Sequence, residues 1–236
     1  APVIAITCNV PTPWLDRRIQ MRIDHHALYA PITKATFPLR ADNVAATIAE
    51  ALATACAETP GPVHLDLPED VGDAEAASSS YIPSALLSDT TDVTEAVGVV
   101  SEALASSKQP LLMTGLGFTR THAADALLSF VERQNIPFIS TMHAKGWLPE
   151  SHPNWTGVLG RARRTNVQKF INEADLIITV GYDPIEINYE EWVGDTPVVH
   201  IATEAADVSP NVQMLFNRPC DMDAAIRGIS ELLAAT

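Results

Sequence analysis

Glycine residues follow two apolar segments of this sequence, at positions where a phosphate group could bind. Gly115 and Gly117 come after the apolar residues 110–114, and Gly181 comes after residues 176–180. Glycine lets the backbone approach a phosphate closely at the start of a helix. The spacing is only Gly-x-Gly, without the third glycine of the dinucleotide-binding fingerprint. Two interpretations therefore stay open, a nucleotide site and a tight turn that requires glycine.

The histidines do not show the spacing of a metal site. His25 and His26 directly follow Asp24. Adjacent side chains on a helix do not point toward one ion or substrate, so we expect surface or interface histidines here. His200 lies within an apolar segment, which favours a hydrogen-bonded core residue. The sequence therefore predicts no metal site.

The remaining ionisable residues form groups without a recognised catalytic pattern. Glu186, Glu190 and Glu191 resemble paired carboxylates, but a solvated loop is the favoured interpretation. The run Arg161-Ala162-Arg163-Arg164 fits either a site for one anionic ligand or a helix start with exposed arginines. No Gly-x-Ser-x-Gly motif and no recognisable cysteine nucleophile occurs.

Alternating strands and helices must position these residues. Apolar runs and helical periodicity predict strands in residues 2–7, 36–39, 63–67, 110–114, 136–141, 176–180 and 198–201. They predict helices in residues 24–29, 43–58, 121–134, 165–173 and 221–233, and one that begins at Asp92 with Glu95 completing a capping box. Strands without alternation between helices indicate an α/β fold with a parallel sheet covered on both faces.

The composition indicates two domains and limits the classes of partner that the chain could bind. Residues 72–91 are rich in Ala, Ser and Asp and predict a linker between domains 1–71 and 92–236. The net charge of −14 disfavours nucleic acid and anionic membranes as partners. No apolar run is long enough to span a membrane. Three cysteines without metal-site spacing suggest a reducing, cytoplasmic compartment.

Three segments together carry a family resemblance. They are Asp24-His25-His26-Ala27-Leu28-Tyr29-Ala30-Pro31-Ile32-Thr33-Lys34, the Gly-Pro-Val…Leu-Pro-Glu-Asp-Val segment of residues 61–71, and Gly181-Tyr182-Asp183-Pro184. With these segments, residues 2–233 resemble the middle of a thiamine-diphosphate-dependent enzyme of the acetolactate synthase kind. The resemblance implies that residues 1–71 are the C-terminal part of a pyrimidine-binding α/β domain. It also implies that residues 92–236 are a Rossmann-like central domain with a six-stranded parallel sheet.

The resemblance implies that the catalytic parts of the enzyme lie outside this chain. In the family, a glutamate of the pyrimidine domain activates thiamine diphosphate, and a Gly-Asp-Gly…Asn motif holds Mg²⁺ and the diphosphate. These elements would lie before residue 1 and after residue 236. We therefore expect a fragment of an enzyme acting on 2-keto acids, an acetolactate synthase or a decarboxylase, with no catalytic residue of its own. Its expected partners are the flanking domains and further copies in a homo-oligomer.

The resemblance also assigns candidate binding residues. Lys34 matches a lysine that lines the substrate channel of acetolactate synthases. The positions that line a nucleotide in the central domain, FAD or ADP, fall at Gly115, Gly117, Thr141, Met142, Gly160, Arg161, Gly181, Asp183, Thr203 and Asp221. The chain departs from the flavin enzymes in having Gly160-Arg161-Ala162-Arg163 for Gly-Met-His-Gly, Cys220 for a glycine, and Ala202 for an acid. A nucleotide-binding module and a structural assembly domain, self-associating through exposed sheet edges, remain alternatives.

Overall fold

The computed structural model describes residues 1–76, 93–161 and 165–232. The chain divides into two compact units, Ala1–Ser88 and Asp89–Thr236. Most of the predicted linker lies outside the described residues, as do Asp92 and three residues of the arginine run, Ala162, Arg163 and Arg164. Within the described ranges, no helix is long and apolar enough to cross a membrane.

The first unit is a small parallel sheet with helices. Its strands are β1 (Val3–Asn9), β2 (Ala35–Pro38) and β3 (Pro62–Pro68), in the order β1-β3-β2. Its helices are α1 (His25–Tyr29), α2 (Val44–Cys56) and α3 (Glu69–Gly72). Asp24 begins α1 as predicted, since its carboxylate accepts a hydrogen bond from the Ala27 amide at 2.9 Å. The core forms where α2 packs on β3, through Ala51, Ala55, Val63 and Leu65.

The second unit has the six-stranded parallel sheet that the resemblance implied. Its helices are α4 (Thr94–Ser106), α5 (Ala124–Gln134), α6 (Thr165–Glu173) and α7 (Met222–Leu232). Its strands are β4 (Pro110–Thr114), β5 (Phe138–Thr141), β6 (Trp155–Leu159), β7 (Leu176–Val180), β8 (Val198–Ala202) and β9 (Met214–Pro219). They lie in the order β6-β5-β4-β7-β8-β9. The α/β fold class is therefore confirmed.

Both faces of this sheet are covered, as the unbroken apolar strands predict. Neighbouring residues of one strand point to opposite faces. Leu112 and Ile178 pack with α4, α5 and α7 on one face. Leu111 and Ile177 pack on the other face with α6 and with the aromatic residues of segment 182–193.

The sequence missed the two edge strands, β6 and β9. Both are only partly buried, and each joins its neighbour through a register shift. Gly157 interrupts β6 at φ +133°, and β9 ends in Asn217-Arg218-Pro219. The N-cap residue of the expected capping box, Asp92, lies outside the described residues, and α4 has Val93 as its N-cap without a side-chain cap. Glu95 instead pairs with Arg218 at 2.6 Å.

Two turns touch at the centre of the sheet, where β4 and β7 end. The Gly115 amide donates to Val180 O at 3.1 Å, and the Gly117 amide donates to Gly181 O at 2.7 Å. A Cβ on Gly181, which has φ +60°, would lie 2.1 Å from the Phe118 amide nitrogen. Backbone atoms cannot yield as a flexible side chain can, so this contact requires glycine.

A polar triangle lies inside the otherwise apolar core beside β7 and β8. The Tyr189 hydroxyl lies 2.7 Å from Thr179 Oγ1 and 2.8 Å from His200 Nδ1. His200 Nε2 lies 3.1 Å from Glu204 O, so Nε2 carries the hydrogen and Nδ1 accepts. The prediction that His200 is a hydrogen-bonded core residue is confirmed. Burial lowers the pKa of His200 to about 4.

Substituting Gly181 should test the contact between the turns. We expect Gly181→Ala to destabilise the protein by at least about 3 kcal/mol, because a backbone clash adds to the cost of positive φ. Gly194 is the matched control, since it has φ +62° but no atom within 4 Å of an added Cβ. Gly194→Ala should cost only about 1 kcal/mol. Urea unfolding followed by circular dichroism measures both. Equal losses for the two variants would contradict the packing argument.

The buried His200 should make stability depend on pH. Its folded-state pKa of about 4 lies below its ordinary value of 6.5. Between these two pH values, His200 binds a proton in the unfolded chain but not in the folded chain. The free energy of unfolding therefore decreases as the pH falls from 6.5 to about 4. The contribution is at most about 1.4 kcal/mol per pH unit.

We expect His200→Asn to reduce the dependence of the unfolding free energy on pH in that window. The exposed His122→Asn is the control, and carboxylate titration cancels in the comparison. Urea unfolding at several pH values between 7 and 4.5 measures the slopes. A His200→Asn slope as steep as that of His122→Asn would show that His200 titrates normally.

Candidate functional site

The end of the sheet between β4 and β7 is the position where an open α/β sheet most often binds ligands. The chain runs outward from β4 through β5 to β6, and then returns to β7 on the other side. Ligands of such sheets bind at this reversal of strand order. Here the turns at Gly115–Gly117 and Gly181 pack against each other. Their close contact accounts for glycine at these positions without a ligand.

At this turn, a buried carboxylate already accepts a hydrogen bond from a backbone amide that a phosphate would need. Glu186 Oε1 accepts a hydrogen bond from the Leu116 amide at 2.7 Å, and Oε2 lies 2.8 Å from His143 Nδ1. The Glu186 side chain is only 4% exposed. The expectation that Glu186 lies on a solvated loop is therefore wrong. The sequence offered no stronger signal than its closeness to Gly181.

Three of the predicted nucleotide-lining residues make local hydrogen bonds. Thr141 Oγ1 accepts from the Ala144 amide at 3.2 Å, and Asp183 Oδ1 accepts from the Ile185 amide at 3.0 Å. Asp221 precedes α7 and accepts from the Ala224 amide at 3.0 Å, which is an N-cap contact. These bonds give each side chain a structural role in a turn or a helix start.

The other predicted nucleotide-lining residues are less constrained. Met142 is 63% exposed, and a Cβ on Gly160 would meet its Cγ at 3.8 Å. Arg161 lies 3.9 Å from Glu191 Oε1. Thr203 is half-buried after β8. An added Cβ is therefore tolerated at Gly160, in contrast to the paired glycines.

Lys34 binds the end of a helix in this structure. Its Nζ donates to Ala57 O at 2.8 Å and to Thr59 O at 3.0 Å, at the C-terminus of α2. A lysine ammonium is favourable beside the free carbonyl groups of a helix C-terminus. Its aliphatic chain covers Gly61, whose added Cβ would meet Lys34 Cδ at 2.9 Å.

A second group of functional side chains lies in the first unit, where α1 covers the sheet. His64 and Asp66 are two residues apart on β3 and face the same side. His25 of α1 reaches them, with its Nδ1 at 2.8 Å from Asp66 Oδ1. Thr7 of β1 adds a hydroxyl at 3.0 Å from His25 Nδ1 and 2.8 Å from His64 Nε2.

This group is buried and is oriented by neighbouring polar residues. Asn9 Nδ2 donates to both Asp66 oxygens, at 2.9 and 3.2 Å. His64 is fully buried, and the Tyr29 ring stacks on it at a centroid distance of 4.1 Å. Burial lowers the pKa of His64, against the opposing field of Asp66. His64 is therefore held neutral at physiological pH.

His25 corrects the expectation from the sequence. It is only 7% exposed, whereas both histidines were expected at the surface or an interface. The side chain of His26 is 38% exposed and lies 3.7 Å from Asp66 Oδ2. The sequence argument considered only whether His25 and His26 could converge on one point. The close partners of His25 instead lie on strands that are distant in the sequence. The alternation of His64 and Asp66 was the available signal.

A cavity of about 560 Å³ opens beside the group. It is lined in part by Asn9, His25, His26, Arg40 and Asp66. In the described part of the chain, His25, His64 and Asp66 are the residues whose ligand atoms lie close enough to hold a metal ion, all within 4.8 Å of one another.

Sequence comparison connects both units to one kind of protein. The chain is 29% identical over 223 residues to a probable acetolactate synthase large subunit of Methanocaldococcus jannaschii, covering 90% of this chain and 38% of the relative. It is 28% identical over 239 residues to the acetolactate synthase large subunit of Lactococcus lactis, covering 98% of this chain and 41% of the relative. The chain thus spans about two fifths of the length of these relatives.

Structure comparison agrees on the fold. The chain superposes on a putative thiamin diphosphate-dependent enzyme from Mycobacterium smegmatis with a TM-score of 0.74 and 24% identity. The match covers 98% of this chain and 45% of that protein. Residues 97–229, more than half of the chain, match the family model for the central domain of thiamine pyrophosphate enzymes. The chain therefore belongs to the thiamine pyrophosphate enzyme family and contains its central domain.

Proposed function

We propose that this chain supplies the central domain and part of the pyrimidine-binding domain of a cytoplasmic, thiamine-diphosphate-dependent enzyme that converts 2-keto acids, as an acetolactate synthase does. The observation that carries the proposal is the similarity to acetolactate synthase large subunits across both units, over 90% or more of this chain. Three free cysteines fit a reducing compartment. Flanking domains and further copies of the chain complete the enzyme.

The residues present do not fit thiamine diphosphate on their own. Activation of the cofactor in this family uses a glutamate of the pyrimidine-binding domain. The four glutamates of residues 1–76, Glu50, Glu58, Glu69 and Glu75, are all exposed. The sequence contains no Gly-Asp-Gly segment to hold Mg²⁺ and the diphosphate. We therefore assign no catalytic step to this chain alone.

What the described residues supply is a scaffold. In the second unit, the two glycine turns contact each other at the reversal of strand order, and Glu186 accepts a hydrogen bond from the Leu116 amide. A carboxylate there repels a phosphate and removes one of its donors. We therefore favour a structural central domain over one that holds FAD or ADP.

Activity measurements should distinguish this chain, which we expect to be inactive alone, from the complete enzyme. With pyruvate, thiamine diphosphate and Mg²⁺, we expect no turnover by the 236-residue chain. We expect decarboxylation by the protein encoded by the whole reading frame. In that protein, Lys34→Gln should raise KM for pyruvate severalfold if Lys34 lines the substrate channel. Lys145→Gln, which removes an exposed ion pair with Glu150, is the control.

These assays can also refute the assignment. A complete protein without activity on 2-keto acids would contradict it, and so would turnover by the chain alone. A Lys34→Gln variant that loses thermal stability but keeps its KM would leave Lys34 with its helix-capping role only.

Thermal stability in the presence of nucleotides should test the preference for a structural domain. A ligand at one hundred times its Kd stabilises the folded state by about 2.7 kcal/mol, which a melting curve resolves readily. We expect no rise in Tm with ADP or FAD at about 1 mM, because Glu186 occupies the anion position. A rise that Gly160→Leu abolishes would instead support a nucleotide site near Gly160.

A further inference from the structure

We propose that His25, His64 and Asp66 form a binding site for a divalent transition-metal ion of the Zn²⁺ type. The site lies wholly within the first unit, between α1 and the sheet. It goes beyond the proposed function, because it depends neither on thiamine diphosphate nor on a 2-keto acid.

The distances between the ligand atoms suit a single ion. One atom of each side chain lies within 4.8 Å of the other two, and His25 Nδ1 lies 2.8 Å from Asp66 Oδ1. Zinc binds nitrogen and oxygen at about 2.0–2.2 Å, so its tetrahedral ligands lie roughly 3.5 Å from each other. Side-chain movements of about 1 Å bring all three atoms to that separation, and the ion replaces the contacts of His25 Nδ1 with Asp66 and with Thr7.

The ligand types select the class of ion. Two imidazoles with one carboxylate suit zinc, iron, cobalt and nickel, whereas Mg²⁺ and Ca²⁺ prefer all-oxygen sites. Three protein ligands leave the fourth tetrahedral position for water. The cavity beside His25 and Asp66 supplies a path for the ion and for that water.

Surrounding residues hold the ligands in place. Asn9 donates to both oxygens of Asp66, whereas Thr7 Oγ1 contacts His25 Nδ1, the atom that would bind the ion, so this contact gives way when the ion binds. Thr7 and Asp66 are direct neighbours in the pairing of β1 with β3, so backbone hydrogen bonds fix their separation. Such outer contacts orient metal ligands and reduce the entropy that binding must overcome.

Charge gives a second, independent reason for an ion here. The Asp66 side chain is 5% exposed, and its ion pairs in the described ranges are with the two histidines of α1, not with Lys or Arg. A buried carboxylate is costly without a compensating cation, and a metal ion supplies that charge.

Titration of the 236-residue chain with Co²⁺ and Zn²⁺ tests the site. The chain must carry no polyhistidine tag. We expect one equivalent of Co²⁺ to produce visible ligand-field bands of a four- or five-coordinate ion, and Zn²⁺ to displace it. His25→Gln and Asp66→Asn should each weaken binding at least about 100-fold, since even outer-shell losses cost 10–100-fold.

Control variants separate the site from surface binding. His122→Gln removes an exposed histidine of the second unit and should bind as the wild type does. The Cys8→Ser/Cys56→Ser variant removes both exposed thiols and should keep the same bands. Circular dichroism confirms that each variant folds. No stoichiometric Co²⁺ binding by the wild type, or unchanged affinity in folded His25→Gln, overturns the proposal.

X-ray absorption of the zinc-loaded wild type gives an answer that needs no variant. We expect a first shell with two imidazole nitrogens and oxygen at about 2.0–2.2 Å. A first shell with sulfur, or with no imidazole, overturns the proposal. Loss of the metal site would leave the proposed keto-acid chemistry untouched, since that is measured by turnover of the complete enzyme.

Discussion

The second unit depends on one close approach of backbone to backbone at the centre of its sheet. The turn after β4 and the turn after β7 hydrogen-bond to each other, and Gly181 leaves no room for a Cβ against Phe118. Because β4 and β7 are the two central strands, every other strand is placed by its position relative to this pair. The two turns meet where sheets of this type usually hold a ligand, at the reversal of strand order.

The first unit differs from the second in that a group of polar side chains connects its strands and its first helix. Thr7, His25, His64 and Asp66 join β1, α1 and β3 through side-chain hydrogen bonds beneath a short helix. A separate apolar core forms where α2 packs on β3. Helix α1 has only five residues, too few to be stable by itself, so its position relies on the Asp24 cap and on His25. The buried polar group therefore takes part in the structure whether or not it binds an ion.

The sequence predicted the features that depend on local pattern and failed on those that depend on distant contacts. Central strands such as β4 and β7 were found at their true bounds, because apolar runs between helices are local signals. Edge strands β6 and β9 lack that signal, since one of their sides is unpaired. The burial of His25 and of the Glu186 carboxylate could not be predicted, because their partners lie 41 and 70 residues away.

The polar triangle of Thr179, Tyr189 and His200 has a consequence for how the strands find their alignment. Strands buried on both faces have no polar side, so apolar pattern cannot distinguish the native pairing from one shifted by a residue. In the native pairing Thr179 lies opposite His200, and the Tyr189 hydroxyl bonds to both. A shifted β8 would leave these polar groups buried and unpaired, each at a cost of about 1–3 kcal/mol. The triangle therefore disfavours shifted pairings of β7 with β8 and favours the native alignment.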